Sequence, residues 1–84
     1  MALKAGQVVR SLAGHDKDRH YLVLWVKDGK AAIVDGKRRR VVKPKVKSLK
    51  HLEATPEVLE LRETLTDPWV RKQLRGYNNI SSLL

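Results

Sequence analysis

The chain has no cysteine among its 84 residues, which excludes disulfides, thiolate catalysis and Cys-ligated zinc or iron–sulfur sites. Aromatic side chains are scarce at 5%, with no Phe at all, so few rings are available to build a core. The opening stretch MALKAGQVVRS lacks the apolar run of a signal peptide, and no span reaches transmembrane length. A cytoplasmic protein is therefore expected. All five glycines read as turn glycines, and none belongs to a Gly-rich phosphate loop. Neither a Ser/His/Asp nor a Cys/His order is present, paired carboxylates in an apolar setting are missing, and a chain this short has little core to line a pocket. The expectation is a non-enzymatic protein without cofactor or metal.

Acidic residues are missing where they would matter most. The segment Lys37–Leu52, KRRRVVKPKVKSLKHL, carries Lys37, Arg38, Arg39, Arg40, Lys43, Lys45, Lys47 and Lys50 with no Asp or Glu. That density of positive charge is the footprint of a polyanion-binding surface. Val41, Val42, Val46, Leu49 and Leu52 are threaded through it, which predicts that one side is packed and holds the cations on a rigid surface. Residues 1–56 contain 14 basic and 5 acidic side chains and so account for the whole net charge of +9, whereas residues 57–84 contain four of each. The two parts are expected to do different work. A membrane surface is a poor partner, because the basic run is β-branched and interrupted by Pro44 and cannot form a basic amphipathic helix.

The chain length allows one domain in which roughly 60% of the unfolded surface is buried. Alternation in Gln7–Ala13 predicts a first strand, followed by Gly14 and a charged loop, His15–Arg19. His20–Lys27, HYLVLWVK, is apolar on both faces, with Leu22, Leu24 and Val26 opposed to Tyr21, Val23 and Trp25, and reads as a covered central strand. Asp28-Gly29 and Asp35-Gly36 are hairpin signals. They predict a meander whose third strand is Lys37–Lys43, limited by Pro44, with a last short strand near Leu49–Ala54. Four or five short strands with tight turns suggest a small closed barrel over residues 1–55. Beyond it, Thr55-Pro56-Glu57 reads as a helix start with Val58, Leu61 and Leu65 on one face. Asp67-Pro68 opens a second short helix with Trp69, Val70 and Leu74, stopped at Gly76. Residues 56–84 are thus a helical extension, with a tail, Asn78–Leu84, that is frayed unless Ile80, Leu83 and Leu84 are bound.

Gly6–Gly29, GQVVRSLAGHDKDRHYLVLWVKDG, resembles the KOW motif: an alternating strand, a glycine, a polar loop, and a hydrophobic strand ending in a turn glycine. The continuation Ala31–Thr55 is similar to small bacterial KOW-domain RNA-binding proteins, relatives of KOW-bearing large-subunit ribosomal proteins. The resemblance implies a Src-homology-3-like barrel of about five strands that binds RNA, often ribosomal RNA. Carried over, it puts Arg10, Ser11, Gly14, Lys17 and Arg19 on one RNA-facing loop and the basic residues of 37–40 and 43–50 on another. KOW domains of transcription factors serve other partners, so the fold alone leaves the ligand open.

Each signal has a plainer alternative. The basic run could be a solvated face, but nothing in the segment compensates it, and a nucleic acid bound through its phosphates is the expected partner; the choice of RNA over DNA rests mainly on the resemblance. No strongly basic recognition helix is predicted that would enter a DNA major groove. Tyr21 and Trp25 could stack bases, although with so few aromatics a core or helix-covered face is the first reading. Trp69 and Tyr77 would then dock the helical extension onto the central strand. His15, Asp16, Asp18 and His20 are metal-ligand types, but Lys17 and Arg19 interrupt them. His51, beside Lys50, either contacts a base or phosphate or caps the strand. The competing functional reading is a protein-interaction adaptor of the transcription or translation machinery, docking a partner through Leu61, Leu65 and Trp69.

Overall fold

Alternating apolar residues in three consecutive segments build a sheet with two buried faces. The computed structural model describes residues 3–78; the expectations for Ile80, Leu83 and Leu84 lie outside them. Five strands, β1 (Gln7–Ser11), β2 (His20–Lys27), β3 (Lys30–Val34), β4 (Lys45–Ser48) and β5 (Leu52–Val58), form one antiparallel sheet in the order β4-β3-β2-β1-β5. One helix, α1 (Asp67–Asn78), follows. Short 3-10 turns occupy Gly14–Asp16 and Leu49–His51. No described helix is long and apolar enough to cross a membrane.

The central strand is covered on both sides, as its sequence predicts. Val9, Tyr21, Val23, Ala31, Ile33 and Leu52 pack together on one face, with Leu3, Val26 and Leu49 at the margin. On the other, Val8, Leu22 and Val34 meet Val70 and Leu74 of α1, ringed by Leu24, Val41, Leu59, Leu61, Trp69 and Tyr77. Burying Val70 and Leu74 stabilises the docked helix by roughly 1.5–3 kcal/mol each. Strict alternation fails after Val23. A bulge between Val23 and Trp25 shifts the pairing with β3, so Val26 joins the Tyr21 face and Trp25 is left 43% exposed. An extra residue in one strand reverses the side-chain phase beyond it, which alternation alone cannot foresee.

Asp28-Gly29 closes the predicted hairpin, with positive φ at both positions (52° and 74°) and Lys27 opposite Lys30. Two other expectations about the strands and their ends are overturned. Lys37–Lys43 is not a strand: β4 begins only at Lys45, after Pro44, and the intervening residues form a loop organised by Asp35. Thr55-Pro56-Glu57 does not start a helix. Thr55 donates its hydroxyl to the Val8 carbonyl (2.7 Å) and accepts from the Glu57 amide (3.3 Å) inside edge strand β5. The register of β1 against β5 shifts at this point, and the Gln7 side chain donates to the Thr55 carbonyl at 3.1 Å. An edge strand at an irregularity tolerates a proline that lacks the ladder donor.

Helix α1 has its cap one residue upstream of the expected one. Thr66 accepts from the Trp69 amide (3.3 Å), and this frees the Asp67 carboxylate to accept from the Val41 amide of the basic loop (2.8 Å). The helix also runs through Gly76, where a stop is predicted, to Asn78. Its last turn is held from outside. The Asn78 carboxamide accepts from the His20 amide (2.8 Å) and donates to the His20 carbonyl (3.0 Å), satisfying the free edge of β2 as a neighbouring strand would. Tyr77 lies against the His20 ring with centroids 4.7 Å apart and donates to Glu57 Oε1 at 2.7 Å.

Candidate nucleic-acid interface

Two loops leave the sheet at the same end of β2 and β3: residues 12–19, between β1 and β2, and residues 35–44, between β3 and β4. The second loop is folded around one carboxylate. Asp35 Oδ1 accepts from the backbone amides of Lys37 (2.9 Å) and Arg39 (2.8 Å), while the amides of Asp35 and Gly36 donate to the Arg39 carbonyl (2.9 and 3.2 Å). A side chain that captures nearby amides offers the backbone an alternative to a strand ladder, which is why the predicted third strand does not form.

The two loops exchange ion pairs. Arg19 of the first donates to Asp35 of the second (3.2 Å), and Arg39 of the second donates to Asp16 of the first (3.0 Å). Both carboxylates are buried, Asp16 to 4% and Asp35 to 2% exposure. Burial opposes the charge on Asp16, but the neighbouring Tyr21 hydroxyl, Arg39 and Lys47 outweigh it and hold the carboxyl below its ordinary pKa. Burial, with Asp16 and Asp35 nearby, pushes the Tyr21 phenol well above its ordinary value. Lys47 adds a third tie: its ammonium donates to Ser11 Oγ (2.6 Å) and to the Ala13 carbonyl (2.8 Å).

These ties divide the predicted RNA-binding residues into two groups. Arg10, Ser11, Arg19, Arg39 and Lys47 are engaged internally. Arg10 bridges Asp18 (2.8 Å) and Glu53 (3.0 Å), and the bond to Glu53 foremost raises its pKa. Lys17, Lys37, Arg38, Arg40, Lys43, Lys45 and Lys50 are exposed and belong to none of the four ion pairs among the described residues. A depression lined by Arg38, Arg39, Arg40, Lys43 and Lys45 adjoins a second one lined by Gly14, His15 and Lys47, with Arg39 and Lys45 in both. The cations of the long loop and the turn at Gly14 thus share one surface. Of the apolar residues threaded through the basic run, Leu52 is buried, Leu49 and Val41 pack on the two cores, and Val42 projects with 89% exposure. Lys50 and His51 sit on the second 3-10 turn, where the His51 carbonyl accepts from the Leu12 amide (2.8 Å).

No protein-family model and no curated protein matches the chain.

The remaining sequence candidates separate in the fold. Tyr21 is fully buried and does not reach solvent, whereas Trp25 on the opposite face does. His15, Asp16, Asp18 and His20 do not converge, since Asp16 turns inward to Arg39 and Asp18 outward to Arg10. Leu61 and Trp69 pack against the outer core, Leu65 is half-buried, and Arg62 lies over the Trp69 ring at 5.6 Å. Two features escape the sequence reading. Asp35 is the buried organiser of the basic loop. Arg71 and Arg75 of α1 line a recess together with Arg19 and Lys37, although their half of the chain is neutral overall. The only sequence signal for them is their i, i+4 spacing, which places them on one helix face.

Proposed function

We propose that this protein binds structured RNA, without catalysing a reaction on it, through the cationic surface formed by the joined loops 12–19 and 35–44. The observation that carries the reading is the reciprocal exchange of Arg19–Asp35 and Arg39–Asp16. It immobilises a surface on which Lys37, Arg38, Arg40, Lys43 and Lys45 have no acidic partner among the described residues, the condition for neutralising phosphates on a rigid frame. The frame is read as a closed Src-homology-3-like barrel of the KOW type. Lys47 on β4 reaching Ser11 and Ala13 at the end of β1 supports this, because β3 and β2 stand between them in the sheet order and the sheet must curl to bring them together.

Ribosomal RNA of the large subunit is the target that the KOW resemblance implies. A surface made of two loops suits an irregular RNA fold better than the regular groove of a DNA duplex. Leu61 and Trp69 pack partly against the sheet, which favours a role in holding α1 over the adaptor reading. Binding of fluorescent large-subunit RNA fragments, measured across a range of KCl concentrations, tests the proposal. Neutralisation of about five phosphates gives a log–log slope of about −3 to −5; a flat salt dependence, or no binding at low salt, overturns it.

A further inference from the structure

Helix α1 carries cations that form no ion pair among the described residues. The recess between α1 and the basic loop is lined by Arg19, Asp35, Lys37, Arg71, Arg75 and Asn78. The Asp35 carboxylate is already committed to two backbone amides and to Arg19. Arg71 is oriented by donating from Nη1 to the Gly36 carbonyl, which fixes one arm of its guanidinium at the wall and leaves its other donors available. Arg75 stands one turn further along the same face, and neither it nor Lys37 forms an ion pair among the described residues. Like charges four residues apart on a helix repel by a few tenths of a kcal/mol, which offsets part of what Arg75 gains from the helix dipole in the last turn.

None of the acids of residues 57–84 lines this recess. Glu57 takes the Tyr77 hydroxyl, Asp67 takes the Val41 amide, and Glu60 and Glu63 border the groove beside Arg62 and Trp69. Of the four cations of residues 57–84, Arg71 and Arg75 line the recess, whereas Arg62 lies in the groove with Glu60 and Glu63 and Lys72 lies outside both.

We propose that this recess is a phosphate-binding subsite, in which Lys37, Arg71 and Arg75 converge on one phosphate group of the RNA backbone. The inference rests on the RNA-binding reading and extends it: the helix is part of the interface as well as a cover for the sheet. Guanidinium groups suit a phosphate because their parallel N–H donors match its oxygens. Lys37 links the recess to the main surface, since it and Arg39 hang from the same Asp35 carboxylate. A bound strand would pass from Arg40 and Lys45 across the loop to α1.

Arg75→Gln is the informative variant, because it leaves the Arg19–Asp35 and Arg71–Gly36 contacts intact; Lys37→Gln is the second. For each, the salt slope of RNA binding should become shallower by about 1. Lys72→Gln, exposed on α1 but outside the recess, should leave the slope as it is. Inorganic diphosphate titrated into the 15N-labelled protein should shift the Gly36, Lys37 and Arg75 amides saturably, and Arg75→Gln should abolish this. Wild-type slopes in both recess variants, with no saturable diphosphate shifts, overturn the subsite while the RNA-binding proposal stands. If the native protein binds no RNA yet diphosphate still titrates these amides, the recess is a phosphate site for another ligand and the RNA-binding proposal falls.

Discussion

Arg39, in the middle of the basic run, donates to the buried carboxylate of Asp16 at 3.0 Å. Its neighbour Arg38 is exposed and unpaired among the described residues. The two arginines are chemically identical and adjacent, so their variants separate a scaffold cation from a ligand cation. Arg39→Gln leaves Asp16 buried without its partner and should lower unfolding free energy by roughly 1–3 kcal/mol. Arg38→Gln should stay within about 0.5 kcal/mol of the native protein. Urea denaturation reads both. Equal stabilities would mean that the pair does not tie the loops together.

The same cluster sets opposite limits on stability with pH. The Asp16 carboxyl is held below its ordinary pKa by the Tyr21 hydroxyl, Arg39 and Lys47. A depressed carboxylate stabilises the fold above its unfolded pKa, and the contribution is lost as pH falls through the folded pKa. Stability differences between the native protein and Asp16→Asn should therefore shrink as pH drops below about 4. Tyr21 behaves in the opposite sense. Burial raises its phenol above the ordinary value of about 10, so its contribution is complete below that value and declines at higher pH as the unfolded chain ionises first. Tyr21→Phe should flatten the alkaline limb of a denaturation series and leave the acid limb in place. An unchanged alkaline limb would count against the buried phenol as its source.

Gly36 and Gly29 offer an internal comparison. Both have positive φ, 78° and 74°, but a Cβ at Gly29 would meet open space, whereas one at Gly36 would run into the Asp67 carbonyl and the Arg71 side chain. Gly29→Ala should cost only the left-handed backbone term, about 1 kcal/mol. Gly36→Ala adds the collision with α1 and should exceed it by at least about 1 kcal/mol. It should also alter Trp69 fluorescence, because Trp69 rides on that helix. Indistinguishable melting curves for the two variants would mean that α1 does not rest on Gly36.

The parts of the fold legible in the sequence are those written in local pattern and turn chemistry. HYLVLWVK gives a strand with two apolar faces, and Asp28-Gly29 gives its hairpin, because both depend on residues next to each other. Thr55-Pro56-Glu57 misleads for an instructive reason. A hydroxyl two residues before a free amide makes the same bond in an ST turn as near a helix start, and only the partner strand, through Val8 and Gln7, decides that the segment is extended. The basic run misleads in the same way. Its cations are visible, but the division between Arg39 and Lys47, which hold the frame, and Arg38, Lys43 and Lys45, which face outward, depends on Asp16, Ser11 and Ala13 arriving from another loop. Long-range partners leave no trace in spacing.

That division has its sharpest test at two lysines of one strand. Lys47 is drawn onto Ser11 Oγ and the Ala13 carbonyl, at 2.6 and 2.8 Å, and its ammonium already has two acceptors inside the protein. Lys45, two residues earlier, is exposed beside the cations of the long loop. Lys47→Met should remove a charged hydrogen-bonding group from the junction of β1 and β4 and lower stability by about 1 kcal/mol, while the salt slope of RNA binding changes little. Lys45→Met should do the reverse, making the slope shallower by about 1 with stability within about 0.5 kcal/mol. Measuring both quantities on both variants distinguishes a diffuse field of positive charge, in which the two lysines would be interchangeable, from a surface whose phosphate contacts are chosen by the fold.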